Sequence, residues 1–87
     1  MCVRVIDEYY KPICVVVIQE ISNLIEDSEI YVIINDKKLP FKVINDGGFK
    51  VLRKINYIEK EILMPNIEFH GLISNIYNFN ELQKLVG

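Results

Sequence analysis

Alanine, threonine and tryptophan are missing from the chain, and histidine and cysteine are scarce: His70, Cys2 and Cys14 are all there is. Two thiols are too few for the disulfide framework of a small secreted scaffold, so the expected setting is reducing and cytoplasmic. One histidine, with the cysteines away from finger spacing, leaves no ligand set for a metal. His70 itself, next to Gly71, reads as a surface turn residue. Gly47-Gly48 belongs to no G-x-G-x-x-G pattern, and there is no Walker sequence and no Ser-His-Asp set, so no cofactor is expected. Long apolar runs are missing too. The longest, Ile13 to Ile18, has six residues, where a membrane-spanning helix needs about 20. No basic segment followed by an apolar run and a small-residue cleavage site opens the chain, so no secretory signal is read there. Ten Lys+Arg against twelve Asp+Glu give a net charge of −2. That balance offers no concentrated basic face for nucleic acid or an acidic membrane surface.

What is present is apolar: 51% of 87 residues, enough for one small core and too short for two. Residues 2–7 alternate and are rich in β-branched side chains, which predicts a first strand. Pro12 stands where helices begin. Behind it Cys14, Val17, Ile18, Ile21, Leu24 and Ile25 recur at helical spacing, which predicts a helix over 12–26 against the β preference of Val15-Val16-Val17. Val15 and Val16 then face away from the stripe, either under the C-terminal segment or as a partner-docking patch. Residues 29–34 predict a second strand and 40–46, closed by Gly47-Gly48, a second helix. Strands over 49–55 and 58–64 follow, and Asn78 with Glu81 three residues on opens a last helix through Val86. Residues 71–77 fit neither period.

The expected architecture is α+β: a two-layer α/β sandwich, β-α-β-α-β-β, with a four-stranded mixed sheet and a C-terminal helical extension. Residues 1–64 make the domain. Residues 65–87, with Ile67, Phe69, Leu72, Ile73 and Ile76 among them, are too apolar for a free tail. They are expected to pack on the same domain or on a second copy, as in a homodimer.

This element order, with several residues at shared spacing, resembles the TusA/SirA-like sulfur carriers. Ile6-Asp7 is similar to the end of that family's first strand, and Pro12 to the first proline of its Cys-Pro-x-Pro motif. Ser28-Glu29 stands where the family has Gly-Glu, Asp36 where it has Asp, and Pro40 and Gly47-Gly48-Phe49-Lys50-Val51-Leu52 resemble the later landmarks. The resemblance spans residues 3–64. It breaks at the chemistry. The acceptor cysteine's position is Lys11, the second proline's is Cys14, and the connecting loop is about two residues short. The resemblance therefore implies a carrier-like domain without its acceptor thiol, a non-catalytic partner-binding member of a sulfur-transfer or redox system. Tyr9, Tyr10, Lys11 and Pro12 would form its binding surface.

Two other readings stand beside it. Cys14, in the first turn of the expected helix and near Lys11, would be the catalytic persulfide carrier of a sulfur relay, although a cysteine among Val and Ile is commonly a small core hydrophobe. The third is an RNA-binding or structural module of the same plan. Its basic pairs, Lys37-Lys38 and Arg53-Lys54, lack the aromatic interleaving that RNA recognition uses.

Overall fold

Stretches of β-branched side chains, more than helical spacing, decide how this chain folds. The computed structural model describes residues 2–18, 24–55 and 68–86. Among the described residues there are six strands and one helix: β1 (Cys2–Ile6), β2 (Pro12–Ile18), β3 (Glu29–Ile34), β4 (Lys37–Asp46), β5 (Phe49–Lys54), β6 (Glu68–Ile76) and α1 (Phe79–Val86). The strands close into a barrel in the order β1-β2-β6-β3-β4-β5. The expected two-layer sandwich with a four-stranded mixed sheet is thereby corrected to a closed β-barrel carrying one C-terminal helix.

Where two helices are expected, residues 12–18 and 40–46 are strand instead. In residues 13–18 every side chain is apolar, so a helical stripe can be drawn through them by default. Ile13, Val15, Val16, Val17 and Ile18 lose rotamer freedom in a helix but fit a pleated wall. Val15 and Val16 are both buried in that wall, so they form no docking patch. Of the remaining stripe, Leu24 is buried, Ile25 is exposed and Ile21 lies outside the described residues. The second expected helix, 40–46, is the second part of β4, and Gly47-Gly48 is a hairpin turn with φ of 62° and 88°. Asn35-Asp36 makes the equivalent turn between β3 and β4, with φ of 52° and 61°. Both are two-residue turns with left-handed backbone, which match the twist of the strands they join.

Pro40 is tolerated inside β4 for a reason of register. It lies opposite Tyr31, and β5 has already ended, at Lys54 opposite Phe41. Counting from the hydrogen-bonded pair that closes the β3–β4 turn, the proline nitrogen faces the β5 side, where no strand requires its donor. The expected strand over 58–64 lies outside the described residues.

The barrel is built from two antiparallel three-stranded sheets, β1-β2-β6 and β3-β4-β5. They join along two parallel seams, β3 with β6 and β5 with β1. The interior is filled by one cluster that includes Val5, Val16, Ile18, Val32, Ile34, Phe41, Val43 and Leu52. Strand directions place the β1–β2 loop, the β3–β4 turn and α1 at one end, and the β4–β5 turn at the other. Leu82 of α1 reaches into the core from the first end, with Leu85 and Val86 packed beside it. Asn78 caps that helix as the sequence predicts: its Oδ1 accepts the Glu81 N–H at 3.1 Å. No helix among the described residues is long and apolar enough to cross a membrane.

Gly71 on β6 is required by packing. A Cβ there would collide with a Val16 methyl and stand 3.2 Å from Val32 Cγ1, and both valines are fully buried. Gly71→Ala is therefore expected to cost about 1–3 kcal/mol by overpacking, read as a lower urea midpoint at unchanged slope. An unchanged midpoint would show that β6 is not seated against Val16 and Val32.

Candidate functional site

The β1–β2 connection is short, polar and aromatic, and its first residue organises it. Asp7 is buried, and its Oδ1 accepts the backbone N–H groups of Tyr9 at 2.8 Å and Lys11 at 2.9 Å. Backbone bonds close the loop again, from Asp7 N–H to Lys11 C=O at 2.9 Å and from Tyr10 N–H to Asp7 C=O at 3.1 Å. A carboxylate accepting two N–H groups is a charge-assisted arrangement, stronger than neutral bonds. It holds Tyr10 at φ 65°, a left-handed conformation that costs a side-chain-bearing residue about 1–2 kcal/mol. The loop is thus rigid, and the outward pose of its tyrosines is imposed: Tyr9 is 75% exposed and Tyr10 59%.

A residue that the sequence offers only as half of the basic pair Arg53-Lys54 completes the site. Arg53 of β5 donates from one terminal nitrogen to the Glu8 carbonyl at 2.8 Å, and its guanidinium lies 5.1 Å from the centre of the Tyr10 ring. Its Nε is shielded from solvent and has no hydrogen-bond partner. Arg53 comes beside the loop because β5 runs parallel to β1, with Ile6 opposite Arg53. Nothing local to residues 7–12 announces it.

The end of β6 adds further aromatic surface. The N–H groups of Tyr77 and Asn78 both donate to the Ile13 carbonyl, at 2.9 and 3.1 Å. This fastens the start of α1 beside the exposed Lys11 and Pro12. Tyr77 and Phe79 are exposed there, and Ile76 is half-exposed. Glu81 ties the helix to the barrel through Lys54, at 3.7 Å. One end of the barrel therefore gathers Tyr9, Tyr10, Lys11, Pro12, Arg53, Tyr77 and Phe79.

Cys14 stands apart from this surface. It is fully buried inside the barrel, and burial pushes its thiol up to about 11. The electrostatic help of a helix beginning at Pro12 is missing, because Pro12 begins a strand. Lys11 lies three strand residues away, about 10 Å along the chain. Cys2 is exposed, and both thiols are free. The basic pairs are engaged as well: Lys38 bonds Glu68 and lies over the Tyr31 ring, and Lys54 pairs with Glu81. Among the described residues no three His, Cys, Asp or Glu side chains come together as a metal site. No protein-family model, no curated protein and no solved structure matches this chain.

Proposed function

We propose that this chain is a non-catalytic binding module that holds a protein partner on the aromatic end of its barrel. The observation that carries the reading is the rigid loop presenting Tyr9 and Tyr10, with Arg53 stacked on Tyr10. Tyrosine and arginine are the residues that concentrate binding energy at protein interfaces. A loop locked by Asp7 has also lost its conformational entropy before any partner arrives, which lowers the cost of association. The described surface offers acceptors, donors and aromatic faces, the groups that recognition uses. Two free cysteines agree with a cytoplasmic location.

The sulfur-transfer setting drew on a β-α-β-α-β-β order that the barrel replaces. The partner is accordingly defined by interface chemistry alone. A sulfur relay through Cys14 has the thiol buried and its thiolate disfavoured.

The test is site-specific photocrosslinking in the native cell, with benzoylphenylalanine in place of Tyr9 or, as a control, of the exposed Ile25 at the opposite end. A discrete adduct is expected from position 9 and not from position 25. Arg53→Ala should abolish it, because the Tyr10 face then loses its stacked cation. An adduct of twice the chain's mass would identify the partner as a second copy. Identical adducts from both positions would refute a specific surface at this end.

A further inference from the structure

The opposite end of the barrel carries an open seam. Parallel pairing between β1 and β5 covers only Val5 with Leu52 and Ile6 with Arg53. Continued downward, the register would set Arg4 against Val51, Val3 against Lys50 and Cys2 against Phe49, and none of these pairs forms. A cleft of about 450 Å³ lies there instead, lined by Cys2, Val3, Arg4, Gly48, Phe49 and Lys50. The backbone parity is fixed by the hairpin. In a two-residue turn Asp46 and Phe49 form the hydrogen-bonded closing pair, so Lys50 directs its N–H and C=O away from β4 and toward β1. β1 is satisfied on its other side by β2, from Cys2 opposite Val17 onward. Among the described residues this leaves a stretch of unpaired strand edge beside the cleft, the feature that accepts an added strand.

The side chains around the cleft specify what that strand carries. Lys50 Nζ donates to the Leu24 carbonyl, a neutral group, and forms no ion pair among the described residues. Arg4 has one carboxylate partner, Asp46, at 3.6 Å, with both side chains about half-exposed. An exposed pair of that kind contributes little and exchanges readily. Phe49 is 71% exposed. Two cations and an aromatic face, on a chain whose net charge is −2, complement an acidic segment with apolar residues at alternate positions. We propose that the open half of the β1–β5 seam docks an extended acidic peptide segment, which pairs its backbone with the free edge beside Lys50. Its carboxylates meet Arg4 and Lys50, and its apolar side chains lie on Phe49.

The experiment is an amide-resolved NMR titration of the full chain with two capped hexapeptides, one alternating Glu and Val, the other alternating Lys and Val. The Glu peptide should shift the amides of residues 2–4 and 48–50 and bind at least tenfold more tightly than the Lys peptide. The double variant Arg4→Glu/Lys50→Glu should reverse that preference, and its amide dispersion reports whether it remains folded. The wild-type comparison of the two peptides stands without it. Equal binding of both peptides, no binding of either, or shifts confined to residues 9–11 would each overturn the proposal. The same amides shifting with protein concentration alone would also overturn it, by assigning the seam to a second copy. The aromatic end takes no part in these readouts, so failure here leaves the partner surface at Tyr9 and Tyr10 to its own test.

Discussion

Replacing Phe41 with alanine is expected to remove about 3–5 kcal/mol of stability, the range for deleting a fully buried aromatic side chain. Phe41 has no exposed surface and is among the largest fully buried side chains of the barrel. It sits on β4 between Ile30 of β3 and Lys54 of β5, so its ring packs where the second three-stranded sheet turns its face to the interior. The walls around it are hydrogen-bonded strands and cannot collapse to fill the space, which places the loss toward the upper part of that range. Small domains hold about 5–15 kcal/mol in total, so the variant should lie close to its unfolding threshold. Urea denaturation followed by far-UV circular dichroism checks it, with the midpoint falling and the slope preserved. Phe49→Ala is the comparison, since Phe49 is exposed at the β4–β5 turn. Its effect should stay within about 0.5 kcal/mol. A Phe41 variant as stable as the Phe49 variant would mean that the barrel does not close around that ring.

The strands that sequence reading placed well are those with a local signal. Residues 2–6 alternate inward and outward, 29–34 form a β-branched run between turn residues, and the run from Phe49 follows two glycines. The last helix was legible because its cap is chemical: Asn78 accepts from the Glu81 N–H, three residues on. Residues 12–18 misled because a wall strand buried on both faces has no polar positions to reveal its period. Pro40 and Gly47-Gly48 misled in the same direction. Proline and glycine mark helix ends and hairpins alike, and only the end of β5 at Lys54 explains how the proline fits a strand. Residues 71–77 resisted assignment because β6 leaves Leu72 and Ile76 exposed, which blurs the alternation. The site divides along the same line. Tyr9, Tyr10, Lys11 and Pro12 are contiguous and could be read as one surface loop. Arg53 is 45 residues from the Glu8 carbonyl it holds, and only the parallel register of β1 and β5 brings them together.

The two thiols should differ in alkylation rate by at least about 100-fold in the folded chain, Cys2 fast and Cys14 slow. Burial raises Cys14 from 9.0 to about 11, so near neutral pH its thiolate fraction is about two orders of magnitude below that of an unperturbed cysteine. Having no exposed surface slows it further, because reagent meets the sulfur only when the barrel opens. Iodoacetamide at pH 7.5 should therefore add one label per chain promptly, and Cys2→Ser should abolish it. In urea both thiols should react. The same burial sets a pH dependence of stability. The fold favours the neutral thiol, so its contribution is complete below pH 9.0 and is lost as pH rises toward 11. The rise from 9.0 to about 11 corresponds to about 2–3 kcal/mol. The measurement is the difference in stability between wild type and Cys14→Ala, which isolates this thiol and should narrow from pH 9 to pH 11. A sulfur relay demands the opposite behaviour, a Cys14 that reacts quickly while the chain is folded and takes up sulfur from a persulfide donor as a +32 Da adduct. Mass spectrometry separates the cases. A fast adduct, present in Cys2→Ser and absent from Cys14→Ser, would require the barrel to open at β2 in its native state, and the binding-module reading would then give way to a carrier.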